Sequence, residues 1–210
     1  DILLELRTKD IVTTVLMFAV LTGIIFSFAF DPSPNVAAIV VPGILWVAFT
    51  FAGVLGFNRS FTLEKDKGNL EGLLLCPVSR DVIYFGKLVS IFIFMVVVEF
   101  ILFPVFAVLY NFPLFDPKLF LVAALATLGF AAVGTLFAAI AVNTRSREIM
   151  LPILLLPVAT PMLIAAVEVT RAILEGVSWG EMGHWWQLLL AFDVIFLIIS
   201  AFVFGAVMEE

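Results

Sequence analysis

The chain has very little of what a soluble enzyme or a metalloprotein is built from. A single cysteine, Cys76, excludes an intramolecular disulfide framework and predicts a free thiol. A single histidine, His184, leaves no His/Cys cluster at metal-ligand spacing and no motif that supports a Ser–His–Asp arrangement. There is no Gly-rich phosphate loop followed by Lys and Ser/Thr, so the chain is not expected to bind ATP by itself. A basic face for nucleic acid is also missing. Charged residues make up only 13% of the 210, too few to solvate the surface of a soluble domain of this size.

What is present is hydrocarbon. Hydrophobic residues are 63% of the chain and the mean hydropathy is +1.21. A helical span needs about 20 apolar residues to cross roughly 30 Å of bilayer core. Six stretches qualify, near residues 11–30, 36–57, 88–110, 119–142, 149–167 and 188–208. Pro152, Pro157 and Pro161 interrupt the fifth, which should be kinked. The expectation is a single all-α integral membrane domain over residues 1–210, without internal repeat or linker.

The placement of the basic residues orients it. Arg7 and Lys9 precede the first span, Arg59, Lys65, Lys67, Arg80 and Lys87 lie between the second and third, and Arg145 and Arg147 between the fourth and fifth. Only Lys118 and Arg171 fall on the other side. The positive-inside rule then puts both termini and the long polar loop in the cytoplasm. The first apolar run is too long for a cleaved signal peptide and lacks a small-residue cleavage site.

Three polar features interrupt the oil. Residues 1–9 are amphipathic, with Ile2, Leu3 and Leu6 able to share a face, and suit a short interfacial helix. Residues 168–187 form a longer outer connection. Glu168, Arg171 and Glu175 are spaced to share one helix face, and Gly176, Gly180 and Gly183 follow as breakers. Trp179, Trp185 and Trp186 belong to the type that settles at a membrane surface. His184 beside two tryptophans reads either as a haem-edge or axial ligand or as part of an aromatic belt. Within the spans, Glu99 lies about midway along the third and Asp193 one to two turns into the sixth. Carboxyls at membrane depth are costly and usually face a cavity or a partner, so both are candidates. Small residues recur in the fourth span at Gly134 and Ala138 and at Ala131, Thr135 and Ala139. Their spacing permits close helix approach, inside the bundle or in a dimer.

The third feature is the insertion at 58–80. Gly68 can end a preceding element, Asn69 can cap a helix over Leu70–Leu75, and Pro77 ends it. Leu70, Leu73 and Leu74 share a side, and a helix of two turns needs a surface to pack on. The mixed charges of Arg59, Glu64, Lys65, Asp66 and Lys67 would orient a docked protein.

The pattern Phe61-x-x-Glu64-x-x-x-Gly68-x-Leu70-Glu71-x-Leu73-Leu74-Leu75-x-Pro77-Val78-x-Arg80 resembles the loop of the haem exporter protein B family. That family is the membrane subunit of the cytochrome c maturation ABC complex. The amphipathic lead-in, the six spans and Asn143-Thr144-Arg145-Ser146-Arg147 with the Pro-rich span after it also fit, so the resemblance covers essentially the whole chain. Where some members carry an acidic residue before the glycine, this chain has Lys67. The resemblance implies a non-catalytic permease subunit with no metal or cofactor of its own. It implies a second copy of this chain and two copies of a cytoplasmic ATPase, the A component, which would hold ATP and Mg. Phe61, Glu64, Gly68, Leu70, Glu71, Leu73, Leu74, Pro77 and Arg80 would dock that ATPase. The haem-handling C component, the small D component and the haem chaperone, component E, complete the implied partners besides membrane lipid. Haem would be handled by the complex, with Trp179, His184, Trp185 and Trp186 as an outer contact. Three alternatives have different observables. An exporter permease for a lipid, drug or polysaccharide would share the architecture. An ion-coupled secondary transporter using Glu99 and Asp193 would be expected to show inverted repeats, and none is visible. An enzyme around His184, Glu168 and Glu175 would need paired groups at close range.

Overall fold

A computed structural model describes residues 10–30, 34–66, 78–110, 116–142, 144 and 146–207. It contains six helices: α1 (Asp10–Ala29), α2 (Pro34–Asp66), α3 (Arg80–Tyr110), α4 (Pro117–Val142), α5 (Arg147–Leu174) and α6 (Gly183–Val207). No strand occurs among the described residues. Five of the helices contain stretches long and apolar enough to cross a membrane: Ala38–Asn58 in α2, all of α3 and α4, Glu148–Leu174 in α5, and α6. The apolar stretch in α1, Val20–Ala29, is shorter. The proposed interfacial helix at 1–9 lies outside the described residues.

The helices overrun the apolar runs that announce them. α2 continues to Asp66, eight residues beyond Asn58, where a loop is expected; no Gly or Pro intervenes to stop it. α3 starts at Arg80 rather than near Leu88. Its first turn carries Asp81, a favourable charge at a helix N-terminus, and the Ser79 carbonyl accepts the Val82 N–H at 3.1 Å. α5 runs unbroken through Pro152, Pro157 and Pro161 to Leu174, so the expected outer helix at 168–175 is its last two turns and not a separate element. Gly176, at φ 72°, ends it in a Schellman arrangement: the Val177 N–H donates to the Ala172 carbonyl at 2.9 Å and the Gly176 N–H to Ile173 at 3.1 Å. α6 begins at Gly183 rather than 188. α4 begins on Asp116, whose Oδ1 accepts the Lys118 N–H at 2.8 Å, with Pro117 in the first helical position.

α4 is the axis of the bundle and packs against α2, α3, α5 and α6. Ala126, Phe130, Ala131, Ala132, Val133 and Ala139 are fully buried within this one chain. The small residues of this helix therefore serve intrachain packing: a Cβ at Gly134 would strike the ring of Phe57 on α2. Phe130 stacks obliquely on both Phe49 and Phe57, with centroids 5.3 and 5.7 Å away. Polar side chains lock the helix pairs. Trp46 Nε1 donates to Thr170 Oγ1 at 3.0 Å, tying α2 to α5. The Tyr84 hydroxyl donates to the Ala132 carbonyl at 3.1 Å, tying α3 to α4. α1 is held to α3 by the Tyr110 hydroxyl, which donates to the Gly23 carbonyl at 2.6 Å.

Candidate functional site

Two buried carboxyls flank the middle of α4. Glu99, on α3, is 6% exposed, and Thr127 Oγ1 of α4 donates to its Oε1 at 2.5 Å. Asp193, on α6, is 3% exposed and faces Gly129 of α4, where a Cβ would meet its Oδ1. Thr127 and Gly129 are two residues apart, about 200° around the helix and about 3 Å along it. The carboxyls thus sit at one level on opposite sides of the central helix. Asp193 is ten residues into α6, deeper than the apolar run suggests, because the helix starts earlier than that run.

Their surroundings differ. Glu99 lines a cavity of about 200 Å³ between α3 and α4, together with Val96, Phe100, Phe103, Pro104, Phe120, Ala123 and Ala124. Asp193 is clamped between Gly129 and its own helix, and neither of its oxygens has a hydrogen-bond partner among the described residues. Trp186 Nε1, seven residues before it, is buried and also has no hydrogen-bond partner among the described residues.

Of the insertion at 58–80 expected to dock a partner, residues 67–77, with Gly68, Leu70, Glu71, Leu73, Leu74 and Pro77 among them, lie outside the described residues. Its two anchors are described. Phe61, in the overrun of α2, is buried at 2% exposure, with Lys87 Nζ of α3 5.4 Å from its ring centre. Its side chain belongs to the bundle and is not on display. Glu64 lies in the last turn of α2. Arg80 opens α3 and reaches across to α6, where its Nη1 donates to the Gly205 carbonyl at 3.0 Å. A cation on the last carbonyls of a helix also complements its dipole.

At the opposite end of the bundle the four aromatic candidates separate into two pairs. Trp179 and Trp186 stack with centroids 5.4 Å apart and planes 22° from parallel. Lys118 Nζ lies 5.4 Å from the Trp179 ring and also donates to the Val177 carbonyl at 3.4 Å. His184 meets Trp185 edge-on at 5.2 Å and is exposed, so its imidazole lies on the surface and not in a cage. Arg171 and Glu175 form an exposed ion pair at 2.9 Å; such pairs are worth little in stability. Glu168 is only partly buried, with no catalytic partner among the described residues. No group of three or more His, Cys, Asp or Glu suited to a metal occurs among the described residues.

Sequence reasoning missed Thr127, the Arg80–Gly205 bond and the burial of Lys87. Thr127 lies 28 residues from Glu99 and Gly205 lies 125 residues from Arg80, so only the register of packed helices brings them together.

Comparison with known proteins fixes the family. The chain is 28% identical to heme exporter protein B of Rhodobacter capsulatus over 165 residues, 78% of this chain and 75% of the relative. It is 26% identical to heme exporter protein B of Pseudomonas aeruginosa over 183 residues, 87% of this chain and 81% of that one. The protein of the same name from Bradyrhizobium diazoefficiens is 23% identical over 207 residues, 98% and 92% of the two chains. The family described as CcmB protein matches residues 1–210, and the chain therefore belongs to it.

Proposed function

We propose that the chain is the non-catalytic permease subunit of an ABC complex in cytochrome c maturation, with six spans, both termini in the cytoplasm and haem as the cargo handled by the complex. The observation that carries this reading is the match to the CcmB family over the whole chain, joined to the geometry around residues 67–77. α2 projects eight residues past its apolar stretch, about 12 Å at helical rise, and carries Arg59 and Lys65 with it. Nine of the eleven basic residues fall on the side of this connection in the six-span reading, which supports a cytoplasmic position for it by the positive-inside rule.

The connection between these two long helices is read here as the part that enters a cleft of a cytoplasmic ATPase, which would bind ATP and Mg. Leu70, Leu73 and Leu74 supply the apolar face and Glu71 a polar flank. Movement of the segment passes into α2 and α3, and through Arg80 to the end of α6. Phe61 contributes by fixing α2 against α3, a positioning role in place of direct contact. On the outer face, the exposed His184 and Trp179 and the stacked Trp186 fit a surface contact with the haem-handling component or the haem chaperone better than an internal haem cage.

The test is to co-express the chain with the ATPase and the other maturation proteins, purify the complex, and assay hydrolysis with and without haem-loaded chaperone. A complex whose hydrolysis responds to that chaperone is expected. Hydrolysis that ignores haem components but responds to a lipid or drug would keep the permease and reject the haem. No complex at all would reject the permease and turn attention to Glu99 and Asp193 as ion-coupling groups.

A further inference from the structure

The groove between α3 and α4 has a chemistry that the permease reading leaves unused. Its walls are aromatic and small: Phe100, Phe103 and Phe120 stand around a floor made by Ala123 and Ala124. Phe100 and Phe120 are themselves 68% and 44% exposed, so the groove opens on the outside of the bundle at the level of apolar helix. Glu99 is the one polar side chain that lines it. Among the described residues its carboxyl has a single hydrogen-bond partner, Thr127 on Oε1. A carboxyl offers about four acceptor sites when ionised, so most of its capacity is unused.

Phe100 and Pro104, the latter inside α3, also line the groove. The site therefore presents a carboxyl acceptor within aromatic walls. Its complement is a hydrogen-bond donor, and aromatic faces favour a cationic one.

Size and depth narrow the occupant. The cavity of about 200 Å³ is below the range of drug-sized ligand pockets, about 300–1,000 Å³, and Glu99 lies 19 residues into a 31-residue helix, far from any headgroup. A second copy of this chain is poorly suited. Among the described residues, Arg80, Lys118 and Arg147 lie at helix ends and Arg171 in a last turn, Arg59 and Lys65 lie in α2 beyond its apolar stretch, and Lys87 is buried inside the bundle. None offers a cation from an exposed mid-helix position.

We propose that this groove seats a transmembrane helix of a different membrane protein of the complex, one that brings a lysine or arginine side chain to Glu99 at mid-membrane. Intramembrane ionisable groups are typically paired in this way, and interhelical hydrogen bonds hold helices together where water does not compete. The inference rests on the reading of the chain as part of a multi-protein membrane complex, and the test separates the two.

A photo-crosslinking amino acid placed at Phe100, in membranes expressing the full chain with all its partner proteins, should give an adduct with another integral membrane protein of the complex. Glu99→Leu should reduce that adduct about five- to tenfold, the effect of losing one interhelical hydrogen bond. Ala124→Trp, which fills the groove from an exposed position on α4 and leaves Glu99 intact, should reduce it similarly. Co-purification of the ATPase is followed in every sample. Adducts with lipid alone, with a second copy of the chain, or with a partner protein but insensitive to both variants overturn the inference. If the ATPase still co-purifies in those cases, the permease reading survives without it.

Discussion

The α3 side and the α6 side of the central helix each hold one buried carboxyl at the same level, and the two are built differently. Glu99 has a donor in Thr127 and an open groove beside it. Asp193 has no donor among the described residues and is pressed against Gly129. Both are almost wholly buried, so burial does not separate them; what does is whether the surrounding chain leaves space and acceptor capacity for something else. The α3 side keeps an open groove beside its carboxyl, while the α6 side is closed by close packing of α4 on α6.

That contrast can be broken at several points. Gly129→Val should have the largest effect, because its side chain would meet Asp193 Oδ1 and the Phe192 ring. Overpacking of this kind costs about 1–3 kcal/mol, read as a clear fall in the thermal midpoint of the detergent-solubilised chain. An unchanged midpoint would mean that the α4–α6 contact is looser than described. Thr127→Val keeps the shape and removes the only donor to Glu99 among the described residues, so it should cost about 1–1.5 kcal/mol in the same assay. Asp193→Asn should change stability least, by under about 0.5 kcal/mol, since no hydrogen bond among the described residues is lost. A loss at Asp193→Asn as large as at Thr127→Val would abolish the distinction between the two sides.

The helices were legible because a run of about 20 apolar residues has few other uses. Their ends were not, since apolarity reports bilayer depth and not helicity. Residues 59–66, 80–87 and 168–174 are polar enough to leave the hydrophobic pattern and still contain no Gly or Pro to stop a helix, apart from Gly86, which α3 absorbs. Glu99 announced itself as a carboxyl in an apolar run, but its environment depends on the register of α3 against α4. The separation of the tryptophans follows from helix phase. Trp185 and Trp186 are adjacent in α6 and point about 100° apart, so only one of them can stack on Trp179. The small residues of the fourth span were ambiguous between bundle and dimer until Phe57 was seen against Gly134. The segment 67–77, the most specific part of the family pattern, lies outside the described residues, so its docking role rests on sequence and on its two anchoring helices.

In the proposed function this segment couples the chain to an ATPase. The most direct measurement is co-purification of the ATPase with the Leu73→Asp variant, alongside a protease-protection assay for membrane insertion. Normal insertion and loss of the ATPase are expected, because a carboxylate among Leu70, Leu73 and Leu74 cannot enter an apolar cleft unpaired. Normal insertion with the ATPase still bound would contradict it.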